Sequence, residues 1–95
     1  MTRVVARRLS IAGRVQGVGF REAVVRAARA AGVDGWVRNR FDGTVEALVQ
    51  GPPDAVDRFV AWCGRGPPLA RVAAVEVAPT EPDPSISGFE RRPTA

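Results

Sequence analysis

The segment Gly13-Arg14-Val15-Gln16-Gly17-Val18-Gly19-Phe20-Arg21 constrains this chain more than any other. It closes an alternating apolar stretch, carries glycine at positions 13, 17 and 19, and runs directly into a helical pattern that bears an arginine. Glycine admits backbone conformations that turn successive N–H groups toward one point. The helix start that follows adds N–H groups with no partner inside the helix and the positive end of the helix dipole. Arg21 adds a planar guanidinium suited to paired oxygens. A strand, a glycine turn and a helix in this order therefore predict a cradle for a small anion such as a phosphoryl group.

The residue types that are absent narrow the chemistry. The chain has 95 residues, enough for one compact domain spanning 1–95, and contains no His and no Tyr. All 14 of its basic residues are arginine. Ser-His-Asp and Cys-His catalysis, a lysine-bearing phosphate loop and Schiff-base chemistry are thereby excluded. With Cys63 as the one cysteine, neither a thiolate metal cluster nor an internal disulfide is possible, and a reducing cytoplasmic setting is the simplest reading. The formal charge of +4 favours anionic partners, although scattered arginines are also what compositional bias produces. No apolar run approaches the roughly 20 residues that cross a bilayer, so no membrane association is expected.

Along the chain, Arg7 to Val15 alternate as a strand, with Leu9, Ile11 and Gly13 on one side. Phe20 to Ala31 places Val24, Ala27, Ala28 and Ala31 at helical spacing and stops at Gly32. Two strands follow, Trp36 to Phe41 and Thr44 to Gln50. A second helix comes after Gly51-Pro52-Pro53, with Val56, Phe59, Val60 and Cys63 on one face. Arg71 to Ala78 reads as a further strand, and Gly88 to Arg92 as a short edge strand. The order βαββαβ predicts an α+β, ferredoxin-like split βαβ sandwich: an antiparallel sheet with two helices on one face. On this reading Cys63 is a core residue, Trp36 covers the open sheet face beside Leu48, Trp62 packs over Pro67-Pro68, and Arg91-Arg92 is a frayed, solvated terminus.

Asp42-Gly43 marks a hairpin, and the side-chain pattern selects its loop length. A two-residue turn would set Val37 beside Leu48 and Asn39 beside Glu46, mixing charge with core on each face. A three-residue loop, Phe41-Asp42-Gly43, aligns Asn39 with Val45, Val37 with Ala47 and Arg38 with Glu46. One face is then apolar apart from Asn39, and the other holds a charge pair. The three-residue loop is expected. It leaves Asn39 on the core side near the anion cradle, where an amide that donates and accepts suits a water held beside a phosphate.

Together with Gly35-Trp36-Val37-Arg38-Asn39 and Asp42-Gly43-Thr44-Val45, the Gly13–Arg21 segment closely resembles the acylphosphatase family, and the resemblance extends over essentially the whole chain. It implies hydrolysis of a carboxyl-phosphate mixed anhydride to a carboxylate and inorganic phosphate, with no metal, no cofactor and no phosphoenzyme. It further implies that backbone N–H groups of Gln16, Gly17, Val18, Gly19, Phe20 and Arg21 cradle the phosphoryl oxygens. Arg21 would bind the phosphate and Asn39 would orient the attacking water. The expected partner is a small-molecule acyl phosphate, with inorganic phosphate as product and inhibitor, no nucleic acid, and a monomer as the working unit.

Two rival readings share the fold. An RNA-binding module would need aromatic residues on its central strands to stack bases, whereas Phe20 opens a helix and Trp36 is isolated. A regulatory carbamoyl-phosphate-binding module, of the kind found in hydrogenase-maturation carbamoyltransferases, belongs to much longer chains with cysteine-rich zinc segments.

Overall fold

The computed structural model describes residues 3–95. Strand β1 spans Val5–Arg14, helix α1 Phe20–Ala31, β2 Asp34–Asn39, β3 Val45–Gly51, α2 Pro53–Arg65, β4 Arg71–Thr80 and β5 Phe89–Arg91. Helix α1 starts where the apolar period begins and stops at Gly32, which is left-handed at φ 75° and returns its N–H to Arg29 O at 3.2 Å. Helix α2 begins at Pro53, whose missing N–H is no loss in a first turn, and Asp54 there complements the dipole.

The sheet order is β4-β1-β3-β2-β5. The four long strands pair antiparallel, as the split βαβ pattern predicts, and β5 extends the sheet by pairing parallel to β2. Leu9, Ile11, Val37, Val45, Ala47 and Val49 lie on the face toward the helices. They pack with Phe20, Val24 and Ala28 of α1 and Val56, Phe59 and Cys63 of α2. Burying each large side chain of this set contributes about 1.5–3 kcal/mol, which is why the alternation in β1 and β3 dictates which face turns inward. Both strands flanking the Asp42-Gly43 turn hold the expected register, with Val37 opposite Ala47, Arg38 opposite Glu46 and Asn39 opposite Val45. Gly43 takes φ 96°, and Asp42 Oδ1 accepts from the Thr44 N–H at 2.9 Å and its hydroxyl at 2.7 Å. Those two bonds hold the Asp42 carboxyl below its usual range.

The open face of the sheet differs from expectation at its last strand. Trp36 and Leu48 pair across β2 and β3 and are both buried, as expected. The Trp36 ring is covered by the guanidinium groups of Arg38 at 4.8 Å, Arg92 at 5.0 Å and Arg8 at 5.9 Å. Arg91 and Arg92 are therefore not a frayed terminus. The Arg92 N–H donates to Val37 O at 2.8 Å, and Arg91 pairs with Glu22 at 2.7 Å. The parallel pairing of β5 with β2 brings these arginines over an aromatic face and a helix carboxylate that sequence spacing does not disclose. Val77 is 45% exposed because β4 is the outermost strand on its side of the sheet. Trp62 packs with its ring 6.1 Å from that of Phe20.

Cys63 has no exposed surface, and burial pushes its thiol up to about 12. That burial makes it a packing residue of the core, as the sequence reading expects. Iodoacetamide is expected to leave the folded protein unlabelled and to label it fully in denaturant, with intact mass as the readout. No helix among the described residues is long and apolar enough to cross a membrane.

Candidate active site

The segment between β1 and α1 is pinned at three points by its own side chains. Val15 and Phe20 are each 1% exposed, and Val18 packs partly buried against the same core. Gly17 and Gly19 fall between these anchors on the exposed side, both with φ 74°. That conformation costs a residue with a Cβ roughly 1 kcal/mol or more. Alternating anchors and left-handed glycines keep the segment at the surface, with Gly17 and Gly19 exposed. The Phe20 ring lies inside, so only its N–H is available to a ligand at the loop.

The start of α1 is left open. Gly19 occupies the N-cap position and has no side chain to cap with, where a Ser, Thr or Asp would bond an N–H of the first turn. Among the described residues, no protein acceptor takes the N–H groups of Gln16, Gly17, Val18, Gly19, Phe20 or Arg21; the first N–H of the segment to be satisfied is Ala23, which donates to Gly19 O at 3.1 Å. Arg21 stands in the first turn, half-buried, and no carboxylate of the described residues pairs with it. A cation there opposes the helix dipole. Six amides and a guanidinium, none with a protein partner, converge on one loop. An oxyanion with several acceptor oxygens is the ligand that such a donor set fits.

Asn39 lies at the matching end of the sheet. Val75, Ile11, Val45 and Asn39 form one cross-strand row on the helix-covered face, running from β4 through β1 and β3 to β2. Ile11 and Val45 are fully buried, and Asn39 ends the row near the point where β1 leads into the loop. Its Oδ1 is buried and has no hydrogen-bond partner. Nearly all buried polar atoms find partners, so this acceptor is unspent hydrogen-bonding capacity at the end of β2.

The loop and the Asn39 hairpin are tied together by a residue whose side chain the sequence reading passed over. Gln16 Nε2 donates to Arg40 O at 2.8 Å and to Thr44 O at 2.9 Å, bridging the two strand ends beside Asn39 and Val45. No local pattern signals this contact, because its partners lie 24 and 28 residues away. Gln16→Ala is expected to lower stability by about 1–3 kcal/mol, roughly 0.5–1.5 per bond. It should also lower kcat, by loosening the loop against the hairpin. Denaturant unfolding and steady-state kinetics together check both effects; Gln16→Glu, which keeps the shape but cannot donate twice, should behave the same way.

A family model described as Acylphosphatase matches residues 7–91. The chain is 58% identical over 84 residues to the acylphosphatase of Thiobacillus denitrificans, covering 88% of this chain and 92% of that one. Among solved structures, the acylphosphatase of Bacillus subtilis superposes with a TM-score of 0.88 at 36% identity, covering 93% of this chain and 98% of that one. Full-length HypF, in a phosphate- and nucleotide-bound form, also matches, with a TM-score of 0.89 at 25% identity, covering 99% of this chain but 12% of that one. The likeness is thus end to end with the stand-alone enzymes and confined to a small part of the larger one. With a family model over most of the chain and close relatives matched over nearly their whole length, this protein belongs to the acylphosphatase family.

Proposed function

We propose that the loop from Gln16 to Arg21 is the phosphoryl-binding site of this acylphosphatase, that Arg21 grips the phosphoryl group and that Asn39 orients the attacking water. The observation that carries this reading is the set of loop N–H groups without a protein acceptor, beside an arginine without a carboxylate. The water oxygen forms a bond to phosphorus as the bond from phosphorus to the acyl oxygen breaks. The carboxylate leaves with that electron pair, and the water's proton passes to a phosphoryl oxygen of the substrate or to solvent. A carboxylate is a good leaving group, so protonation of it is unnecessary and a site without histidine suffices. The phosphoryl transition state is loose and carries its charge on peripheral oxygens. Positioned donors are what such a state requires, each worth about 2.7–4 kcal/mol in comparable sites.

The reading includes a single domain over residues 1–95, acting as a cytoplasmic monomer, with inorganic phosphate both product and competitive inhibitor. Loss of benzoyl phosphate absorbance with purified protein tests it. Hydrolysis should survive a metal chelator, and added inorganic phosphate should raise KM while leaving kcat in place. Activity that vanishes on chelation, or phosphate that fails to compete, would refute it; sedimentation velocity checks the monomer.

A further inference from the structure

Two further arginines, Arg14 and Arg71, adjoin the cradle on the side away from Asn39. A cleft of about 400 Å³ opens there, lined by Arg14, Gly17, Val18, Pro68, Leu69 and Arg71. Gly17 and Val18 belong to the cradle, so the cleft is continuous with it. Arg14 and Arg71 face each other directly across β1 and β4, and no carboxylate among the described residues pairs with either. Like charges directly opposite on neighbouring strands destabilise a sheet. The pair is brought together by an irregularity in which the register shifts between Ala12 and Gly13. Gly13 makes the close approach possible: a Cβ there would collide with the Arg71 carbonyl oxygen and come within 2.7 Å of Ala73 N. Leu69, beside them, is 73% exposed and offers an apolar surface.

The sheet order gives this cleft its role. Strand β1 lies between β4 and β3, so the loop that follows it has the β2–β3 hairpin with Asn39 on one flank and the Pro68–Arg71 segment on the other. Displacement at phosphorus places the attacking water and the leaving group roughly in line, on opposite sides. With the water at Asn39, the leaving acyl group points toward Leu69, Arg14 and Arg71. We infer that this cleft receives the acyl group and that its arginine pair selects acyl phosphates whose acyl portion carries a second anionic group, a carboxylate or a phosphate. The inference rests on the phosphoryl site proposed above. It gives an unpaired cationic couple a counter-ion and gives the exposed Leu69 a carbon skeleton to cover.

The test compares benzoyl phosphate with 4-carboxybenzoyl phosphate and 4-phosphonobenzoyl phosphate, rigid substrates that differ in tail charge and cannot cyclise. The readout is the ratio of kcat/KM for each charged-tail substrate to that for benzoyl phosphate. Arg14→Ala and Arg71→Ala are each expected to lower this ratio about threefold and the double variant about tenfold, as for partly solvated ion pairs. The carboxylate and phosphonate arms show which anion the pair prefers. Arg58→Ala, which removes an exposed arginine on α2, should leave the ratio within 1.5-fold and so controls for long-range attraction. Arg14→Lys and Arg71→Lys should retain most of the discrimination. A ratio unmoved in the double variant, or lowered equally by Arg58→Ala, overturns the subsite while leaving the hydrolase reading intact. Failure of the unsubstituted protein to hydrolyse benzoyl phosphate removes both. Far-ultraviolet circular dichroism should show the double variant folded, since the substitution relieves repulsion.

Discussion

Arg21→Ala is expected to lower kcat/KM for benzoyl phosphate by about 10³-fold, the lower end of what a single arginine contributes to phosphoryl transfer elsewhere. The guanidinium is the one cation placed within the run of unpartnered amides, and it meets no carboxylate that would divide its charge. Without it the amides still bind an oxyanion weakly, so both KM and kcat suffer. The same substitution should raise stability. A positive charge in the first turn of α1 opposes the helix dipole, and removing it is worth about 0.3–1 kcal/mol. A purely structural arginine would show the reverse, with stability falling and activity following it. Two measurements separate the cases: the denaturant midpoint with and without inorganic phosphate, and steady-state kinetics. The unsubstituted protein should gain stability on adding phosphate, whereas Arg21→Ala should gain far less, because ligand stabilisation follows affinity for the folded state. An unaltered phosphate response in Arg21→Ala would remove the arginine from the site.

What the chain order discloses and what it hides divide along a physical line. Features set by neighbours in sequence were legible. The Gly17 and Gly19 turn, the start of α1 at Phe20 and its stop at Gly32 each follow from local preference and period. The hairpin register followed from side-chain alternation, because a one-residue slip would have buried Glu46. Features set by distant segments were not. Gln16 reaches two carbonyls beyond α1 and β2, and nothing near Gln16 predicts them. Arg92 looks like a solvated tail until the parallel pairing of β5 brings it over Trp36. The strand ends at Val5 and Thr80 extended past the sequence reading because β1 stays paired with β3 at Val5 and β4 stays paired with Ala6 of β1 at Thr80, although their alternation has faded. At the proposed site, the candidate residues were read from the sequence, while the unpartnered state of Asn39 Oδ1 emerged only once every neighbour was in place.

That unpartnered oxygen makes Asn39→Ala the sharper test of mechanism. The expected result is a loss in kcat of about 10²–10³-fold, the scale on which one preorganised polar group acts in such sites. The inhibition constant for inorganic phosphate should stay within about threefold, since the proposed site holds phosphate through the loop and Arg21 rather than through the amide. Stability should rise by about 1 kcal/mol. A buried acceptor without a partner costs about 1–3 kcal/mol, and alanine removes the acceptor while giving up little packing. Asn39 sits at the end of β2 opposite Val45, where Ala95 also donates to its carbonyl at 3.1 Å, so the backbone is held independently of the side chain. Asn39→Asp separates charge from shape: it keeps the acceptor but sets an anion beside the phosphoryl group, so phosphate affinity should fall as well as kcat. If Asn39→Ala hydrolysed benzoyl phosphate at the unsubstituted rate, the water would have to be held elsewhere. If it lost stability and phosphate affinity together with kcat, Asn39 would be a structural element of the loop. Only lost kcat, kept phosphate binding and gained stability fit an amide whose acceptor is reserved for the attacking water.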